Sequence, residues 1–291
     1  MRSFFSQKQS NFSTIRLRVP VGIIYVEQLD ALKEVAARYG SGRLHLTVRK
    51  TVEIPGVANK DIPRAIAQLA SVGWYSSAFG DNIRNVVACP GAYSCPNAQV
   101  DTQSLGLEID SNFASEEDLP AKIKIAVAGC PNSCTHPILN DIGIIGVTRV
   151  KVLQDKCERC YICVEDYCRE NAIKKSEEGQ VIIDPEACVD CGECVGKCLS
   201  NALVAESRAY RIFVGGKLGR HPQIGTYLAD ILTIPEVVDM VEVVLAVYKK
   251  YGQPGERLGE LINRLSMERF RQLVVDYRKQ KVKVACAQLV Y

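Results

Sequence analysis

The 291-residue sequence lacks any apolar run long enough to cross a bilayer, and it carries little net charge. A membrane-spanning helix needs about 18 or more consecutive apolar residues, whereas the longest candidate, Val237 to Val247, is interrupted by Asp239 and Glu242. A formal net charge of +3 gives no reason to expect a nucleic-acid or membrane-surface partner. Because the start MRSFFSQKQSNFST is polar and shows no signal-peptide pattern, we expect a cytoplasmic protein with reduced thiols.

A nicotinamide or flavin fingerprint is also missing. The glycine-rich stretch Gly215 to Gly219 lacks the strand-turn-helix glycine spacing of a dinucleotide site and the acidic residue that follows it. If the protein carries out redox chemistry, its electrons must therefore come from elsewhere.

Cysteine, by contrast, is abundant, and 12 of the 13 cysteines fall into two patterns. One pattern is Cys89-x5-Cys95 followed by Cys130-x3-Cys134, and the other consists of two runs between residues 157 and 198. The two runs are typical of a two-cluster ferredoxin, in which the last cysteine of each run ligates the other run's cluster. This rule predicts one 4Fe-4S cluster on Cys157, Cys160, Cys163 and Cys198, and another on Cys168, Cys188, Cys191 and Cys194.

Disulfide bonds and structural zinc are the alternatives to iron–sulfur clusters for these cysteines. Disulfide frameworks belong to short secreted chains, and zinc sites seldom show the x2-x2-x3 spacing that wraps three thiolates around one corner of a cubane. The first run departs from the usual pattern, with x4 before Cys168, and no proline follows Cys168 or Cys198. The thirteenth cysteine, Cys286, lies in an apolar segment and is expected to be a small buried hydrophobic residue.

Helical and strand patterns alternate on both sides of the cysteine-rich segment, which predicts an α/β or α+β class with a mixed sheet. The segment itself, residues 153–204, looks like an insertion, with an internal echo between Asn171-Ala172-Ile173 and Asn201-Ala202-Leu203. Predicted strands are 15–19, 43–54, 122–127, 211–214 and 282–290. Predicted helices are 26–39, 61–73, 223–231, 235–251 and 255–278.

Two of these strands carry a basic face. Alternation in the segment from Arg43 to Arg49 puts Leu44, Leu46 and Val48 towards the core and Arg43, His45, Thr47 and Arg49 on the other side. In Lys122–Val127 the isoleucines face the core and Lys122 and Lys124 face away. A solvated charged face is the usual explanation. However, the second strand runs into Gly129-Cys130, and Arg84 precedes Cys89 by five residues, which favours a site for a polyanionic cofactor and a small oxyanion.

Five sequence blocks, in this order, resemble the nitrite and sulfite reductase family. They are Thr47-Val48-Arg49-Lys50-Thr51, Arg84-Asn85-Val86-Val87-Ala88-Cys89, Pro120-Ala121-Lys122-Ile123-Lys124, Gly129-Cys130-Pro131-Asn132-Ser133-Cys134 and Val214-Gly215-Gly216-Lys217-Leu218-Gly219. Members of this family carry a sirohaem joined to a 4Fe-4S cluster through a shared cysteine thiolate. The resemblance covers nearly the whole chain and implies an α+β fold of sulfite reductase-like domains with an inserted two-cluster ferredoxin domain.

The resemblance also implies roles for particular residues. The cluster coupled to sirohaem would be held by Cys89, Cys95, Cys130 and Cys134, with Cys134 bridging to the sirohaem iron. The catalytic quartet that binds sulfite and supplies protons would be Arg49, Arg84, Lys122 and Lys124. Further sirohaem contacts would come from Arg43, Thr47, Asn85, Asn132, Gly215, Gly216 and Lys217.

By this resemblance the chain reduces sulfite to sulfide at sirohaem, with three 4Fe-4S clusters and electrons from a flavoprotein or ferredoxin-type subunit. A sirohaem nitrite reductase producing ammonia remains an alternative, as does an electron-transfer protein that lacks sirohaem. The chain has one reductase repeat where larger members have two, so a homo-oligomer or another subunit is a possible way to close the pocket. The implied domains are a ferredoxin-like half domain at 1–58, a sirohaem and 4Fe-4S domain at 59–152 and 205–291, and the ferredoxin insert at 153–204.

Overall fold

A computed structural model describes residues 4–9, 11–75 and 80–288, with side chains described as far as residue 281. The strands are β1 Phe4–Ser6, β2 Phe12–Leu17, β3 His45–Leu46, β4 Val52–Ala58, β5 Val87–Ala88, β6 Ile125–Ala128, β7 Ile142–Val152, β8 Ile173–Lys175, β9 Val181–Ile183, β10 Leu203–Val214 and β11 Thr226–Ile231. The helices are α1 Leu29–Arg38, α2 Ile62–Ala70, α3 Thr102–Phe113, α4 Ile234–Tyr251, α5 Leu258–Leu265 and α6 Met267–Gln288. No helix among these residues is long and apolar enough to cross a membrane.

The first layer is an antiparallel sheet of strand order β1-β2-β4-β3 covered by α1 and α2. Strands β2 and β4 direct Ile15, Leu17 and Ile54 into a core that is closed to solvent. Helix α2, which begins with Pro63 in its first turn, packs into the same core, as does the buried Trp74. This layer therefore extends past residue 58, the boundary expected from the sequence.

The second layer is a mixed sheet of strand order β11-β10-β7-β6-β5. Strands β5, β6 and β7 are parallel, whereas β7, β10 and β11 are antiparallel. Helices α3 to α6 share one large apolar core with this sheet. Parallel strands bring their carboxyl ends to one edge of a sheet, so the loops after β5 and β6 lie side by side.

The cysteine-rich segment connects two paired strands, since Val152 at the end of β7 lies opposite Leu203 at the start of β10. It contains a small antiparallel hairpin of β8 and β9. Its core is small and made of Ile173, Val181 and Leu203 together with cysteine side chains. So small an apolar core is expected where metal clusters do much of the holding together.

Two predictions for the carboxyl-terminal part were wrong because long-range pairing overrides local pattern. Residues 223–231 were expected to be helical, but Thr226–Ile231 form β11 and pair with β10. Residues 282–290 were expected to form a strand, but α6 continues to Gln288, and residues 289–291 lie outside the described chain. Ion pairs from Lys281 to Asp239 and Glu242 hold α6 beside α4 at this point.

The predicted helix 255–278 is two helices, α5 and α6. Ser266 lies between them with φ 75° and ψ 151°, which no helix accommodates. Its hydroxyl oxygen accepts a hydrogen bond from the Arg269 N–H and so caps the start of α6.

The predicted strand 43–54 is also interrupted. Strand β3 has only two residues, and a turn stabilised by hydrogen bonds between Thr47 and Thr51 reverses the chain into β4. Leu44, Leu46 and Val48 are 44%, 69% and 99% exposed, so the expectation that they face the core was wrong. The physical reason is that Leu46 lies in β3 at the edge of its sheet, with Leu44 and Val48 just outside that strand, and none of the three joins a core cluster of the described residues.

Candidate functional site

A basic cavity of about 330 Å³ opens between the two layers. All four predicted catalytic residues contribute to its wall, together with Arg16, which no sequence pattern had indicated. Arg16 donates to the Glu53 carboxylate, so its charge is compensated. The remaining lining residues are Thr47, Val48, Thr51 and Asn85, whereas the exposed Arg43 is not part of the wall.

Arg49 is presented by the turn between β3 and β4. The Thr47 hydroxyl oxygen accepts hydrogen bonds from the N–H groups of Arg49 and Thr51, at 3.3 and 3.2 Å, and Lys50 adopts a left-handed conformation with φ 58°. Alternating polar and apolar residues predict a strand here, so the sequence pattern gave no sign of the turn. The cation reaches the second layer only because the turn projects it there.

The Arg49 guanidinium is held entirely by neutral acceptors. It donates to Asn140 Oδ1 at 2.8 Å and to the carbonyl oxygens of Asn85 and Ile125 at 2.7 and 3.0 Å. Burial lowers the pKa of Arg49 to about 10, with Asp141 opposing the shift. The group therefore stays charged at neutral pH, and its described hydrogen bonds include no carboxylate that would cancel that charge.

Asn85 joins the two layers beneath Arg49. Its side-chain oxygen accepts from the Val19 N–H at 2.9 Å, and its amide nitrogen donates to the carbonyl oxygens of Val19 and Arg49 at 2.8 and 2.9 Å. The side chain is 1% exposed. Asn85 thus fixes the backbone of the Arg49 turn to the second layer.

Lys122 and Lys124 face the cavity because Ile123 and Ile125 face the core, as the alternation predicted. The segment is held in register by the hydrogen bonds from Arg84 N–H to the Ile123 carbonyl and from Ile123 N–H to the Asn82 carbonyl, at 2.8 and 3.1 Å. Burial lowers the pKa of Lys124, and the nearby Arg49 adds to the shift. Burial likewise lowers the pKa of Arg84.

Two residues directly before β7, Asn140 and Asp141, were not predicted from the sequence. Asn140 accepts from Arg49, and Asp141 accepts from the Lys124 N–H at 2.8 Å. The Asp141 carboxylate is completely buried and receives two hydrogen bonds from Arg257, at 3.1 and 2.5 Å. A polar pair directly before an apolar strand is a signal that could have drawn attention to them.

The four cysteines of the first pattern come together at the carboxyl ends of β5 and β6. Cys89 follows β5 directly, and Cys130 follows β6 by one residue, Gly129, whose N–H donates to the Cys89 sulfur at 3.1 Å. Burial raises the pKa of Cys130, and the thiols of Cys95, Cys134 and Cys89 add to the rise. The four thiols are therefore close enough to one another to interact electrostatically.

The cysteines of the second pattern form two groups, within each of which the thiols interact electrostatically. Burial raises the pKa of Cys163, with further contributions from Cys198, Cys157 and Cys160. Burial raises the pKa of Cys194 to about 11, with contributions from Cys191, Cys188 and Cys168. Each group thus combines three cysteines of one run with the last cysteine of the other.

The sequence echo after each run has a structural counterpart. Asn171 and Asn201 both adopt left-handed backbone conformations, with φ of 52° and 53°. The alanine that follows each then donates its N–H to the last cysteine's sulfur, at 3.2 Å for Cys168 and 3.4 Å for Cys198. Asparagine tolerates this conformation better than most residues, which accounts for its presence at both positions.

Within the described ranges, no group of three or more His, Cys, Asp or Glu side chains is spaced to hold a single metal ion. A 4Fe-4S cubane is larger than one ion, so thiols that face one another at wider spacing are compatible with it. The chemistry of the three sets, four thiols in each, fits a cubane cluster in each position.

The insert contacts the second layer through its second cysteine run. Thr148 of β7 donates its N–H to the Asp190 carbonyl at 2.8 Å and its hydroxyl to Gln99 Oε1 at 2.7 Å, while the Gln99 N–H donates to the Gly129 carbonyl at 2.7 Å. A cavity of about 440 Å³ is lined on one side by Cys130, Pro131 and Asn132 and on the other by Cys191, Gly192 and Glu193. Asn132, a predicted sirohaem contact, therefore lines the space towards the insert.

Gly215 and Gly216 lie close to neighbouring protein atoms, which leaves little room for a side chain at either position. A Cβ atom on Gly216 would lie 2.2 Å from the Ile138 carbonyl oxygen, and Gly215 has φ 86°. The Gly215 N–H donates to the Asp141 carbonyl at 2.8 Å, and the Lys217 ammonium pairs with Glu260 at 2.5 Å. Gly215 and Lys217 thus have these protein partners, and the role of all three residues as sirohaem contacts stays a prediction.

A basic cavity, four thiols in the neighbouring loops after β5 and β6, and two further thiol groups in the insert indicate an iron–sulfur redox protein. Comparison with known families narrows this class. Residues 79–282 match the family described as nitrite and sulphite reductase 4Fe-4S domain, and residues 5–72 match its ferredoxin-like half domain. The chain belongs to the nitrite and sulphite reductase family, as its sequence blocks predicted.

Two curated relatives differ in how much of them the chain covers. The coenzyme F420-dependent sulfite reductase of Methanocaldococcus jannaschii is 32% identical over 271 residues, which are 92% of this chain and 43% of that protein. The C subunit of the anaerobic sulfite reductase of Salmonella typhimurium is 27% identical over 302 residues, covering 95% of this chain and 87% of that protein. The chain thus spans less than half of the first relative and most of the second.

Among solved structures, a dissimilatory sulfite reductase I has a TM-score of 0.75 at 22% identity. The match covers 91% of this chain and 69% of that one. The NirA protein of Mycobacterium tuberculosis has a TM-score of 0.66 at 20% identity, and its match covers 92% of this chain and 40% of that one. These similarities confirm the predicted α+β fold.

Proposed function

We propose that the protein reduces sulfite to sulfide. The observation that carries this proposal is the convergence of Arg49, Arg84, Lys122 and Lys124 on one cavity. Lys50, the neighbour of Arg49, donates to the carbonyl oxygen of Ala88, which directly precedes the first cysteine, Cys89. Sulfite is a small oxyanion, and charge-assisted hydrogen bonds from fixed cations are the strongest means of binding one where water is partly excluded. Reduction of sulfite to hydrogen sulfide ion consumes six electrons and seven protons and releases three water molecules, so the site needs both cations and proton donors.

The residues present fit the cofactors of the family. Cys89, Cys95, Cys130 and Cys134 would hold a 4Fe-4S cluster, with Cys134 shared with sirohaem, and the two thiol groups of the insert would hold one cluster each. When bound, these groups supply single electrons and an iron centre for the sulfur atom of the substrate. Cys134 suits a shared position because it is the exposed member of its set.

The basic side chains divide the remaining work between binding and proton supply. Arg49 is a permanent cation fixed by three acceptors, which suits it to hold an oxygen atom of the substrate and stabilise the charge that develops there. Lys124, whose pKa is lowered by burial, is a stronger acid than an ordinary lysine and thus a better proton donor. Lys122 lies two residues away on the same face and could share this role.

Electrons would arrive from another protein or domain, because the sequence shows no flavin or nicotinamide fingerprint of its own. The relative named for coenzyme F420 is more than twice the length of its match to this chain, so its name describes a larger protein. We expect a flavoprotein or ferredoxin-type partner that docks on the insert in the cytoplasm. A partner protein is consistent with the Salmonella relative, which is named as one subunit of an enzyme.

Reduction of nitrite to ammonia is the second candidate. The ferredoxin–nitrite reductase of Synechococcus elongatus is 33% identical over 140 residues, which are 48% of this chain and 27% of that protein. Nitrite is also a small anion that a basic cavity would attract, and its reduction also consumes six electrons. The two reactions differ in product, which makes them separable by assay.

The test is turnover by the anaerobically purified protein with a reduced viologen dye as donor. Sulfide as the product of sulfite, together with the strong visible bands of sirohaem, would support the proposal, whereas faster ammonia formation from nitrite would favour the alternative. Lys124→Gln should lower the turnover number while leaving the bands unchanged. Lys60→Gln, which removes an exposed lysine outside the cavity, is the matched control and should turn over normally.

A further inference from the structure

A buried hub of two adjacent residues, Asn140 and Asp141, lies directly behind the basic cavity. Asn140 is 7% exposed and Asp141 is 0% exposed. Asn140 Oδ1 accepts from Arg49 at 2.8 Å, and its amide nitrogen donates to the His136 carbonyl at 2.9 Å, which orients the amide. One residue of the hub therefore holds the guanidinium of one cavity cation.

Asp141 holds the backbone of a second cavity cation, Lys124. Its carboxylate accepts from the Lys124 N–H at 2.8 Å and from the Arg257 guanidinium, while its own carbonyl accepts from the Gly215 N–H at 2.8 Å. Asp141 thus ties together the segment leading into β6, the loop after β10 and the N-cap residue of α5. Burying an ion pair is weak evidence for stability, since apolar residues often do as well, so its position behind the cavity calls for another explanation.

We propose that Asp141 is a positioning residue, which fixes Lys124 and, with Arg257 as its counter-ion, sets the charge balance that keeps Lys124 protonated in the cavity. This inference rests on the proposed function only in giving Lys124 a proton to supply. Among the described residues, the charged groups that act on Lys124 are the cations Arg49, Arg257 and Lys122 and the carboxylate Asp141. Arg16 and Arg84 line the same cavity, and Arg16 is paired with Glu53.

The direction in which each substitution should move the pKa of Lys124 follows from these charges. Asp141→Asn removes the carboxylate and leaves the Arg257 charge uncompensated, so Lys124 should lose its proton at lower pH. Burial raises the pKa of Asp141 and Arg257 opposes the rise, so Arg257→Gln leaves an ionised carboxylate only towards alkaline pH. Lysine titrates in that range, and with one cation fewer Lys124 should lose its proton at higher pH. An opposite charge within a few ångströms typically moves a pKa by on the order of one unit or more. Loss of structure alone would not move the two variants in opposite directions.

The experiment is competitive acetylation of the protein with its cofactors bound, over a range of pH, with mass spectrometry to follow the labelling of Lys124. The pH profile of sulfite turnover is measured alongside. We expect the labelling midpoint of Lys124 and the alkaline limb of the profile to fall in Asp141→Asn and to rise in Arg257→Gln. The double variant Asp141→Asn/Arg257→Gln should return both towards the parent values. Arg257→Lys, which keeps the charge, should also leave both near the parent values.

Labelling separates this inference from the proposed function, because it reports the lysine whether or not sulfite is the substrate. If the parent protein lacks sulfite turnover but the labelling midpoints move as expected, the charge balance stands and the proposed function fails. Unchanged midpoints in Asp141→Asn and Arg257→Gln would overturn the inference. Equal shifts in the single Asp141→Asn and the double variant would overturn it too, because packing would then be the cause.

Discussion

Replacing Arg49 with methionine tests whether the cavity acts through a preorganised charge. Methionine keeps most of the side-chain volume and flexibility but removes the guanidinium. Three acceptors then lose their donor: Asn140 Oδ1 and the carbonyl oxygens of Asn85 and Ile125. The charge that faces the substrate is lost at the same time.

The expected effect on turnover is larger than the effect on stability. Removing one preorganised donor to a developing negative charge typically costs about 100- to 1,000-fold in rate, or about 2.7 to 4 kcal/mol. A buried acceptor left without a donor costs about 1 to 3 kcal/mol. Because Arg49 and one acceptor residue, Asn85, line a cavity of about 330 Å³ that can admit water, we expect the unfolding free energy to fall by about the cost of one such group.

The assay is sulfide formation from sulfite with a reduced viologen donor, with the visible spectrum recorded for the same sample. Arg49→Met should keep the sirohaem bands and lose most of its turnover number. Arg64→Met is the matched control, because Arg64 is an exposed residue of α2 and lies outside the cavity wall. Near-normal sulfide production by Arg49→Met would refute the reasoning, and so would an equal loss in the control.

Three further predictions concern the thiol groups and the insert. Iron analysis of anaerobically purified protein should give about twelve irons in three clusters plus one in sirohaem, from four thiolates per cluster; about four or five irons, or zinc in their place, would remove the insert clusters from the proposal. Gly192→Val should disturb the contact between the insert and the second layer, since a Cβ there would lie 2.6 Å from Gln99 Oε1 and 2.8 Å from Thr148 Cβ. Turnover with a protein donor should therefore fall. In the control Gly196→Val, at a similar positive φ with open space around it, turnover should fall much less. Residues 153–202 can be replaced with Asn-Gly, which closes a hairpin between Val152 and Leu203. This variant should lose turnover with the protein donor but keep the sirohaem bands and some dithionite-driven activity. Normal acceptance of electrons from that donor would contradict entry through the insert.

Sequence patterns that depend on neighbours along the chain predicted the structure well. Alternation put Ile123 and Ile125 in the core and Lys122 and Lys124 at the cavity, because a strand turns successive side chains to opposite faces whatever surrounds it. The helices 26–39, 61–73 and 235–251 were predicted to within a few residues for the same kind of reason. The fold class and the family could be predicted because the five blocks carry both.

Patterns whose meaning depends on distant partners gave wrong predictions. Residues 226–231 form a strand because they pair with β10, and residues 282–288 remain helical beside α4. The leucines at 44 and 46 alternate like core residues, yet their strand lies at a sheet edge and they are exposed. Local spacing cannot show which edges are covered.

The sequence by itself predicted the thiol sets, since cysteine spacing follows from the short loops that must wrap a cluster, and it predicted which basic residues belong to the site. Only the tertiary structure decided how the basic residues are held. A turn between β3 and β4 projects Arg49 onto Asn140, and the buried carboxylate of Asp141 joins Lys124 to Arg257, which lies 116 residues beyond Asp141 in the chain. Such contacts arise from the meeting of two layers and a helix end, and nothing in the local sequence specifies them.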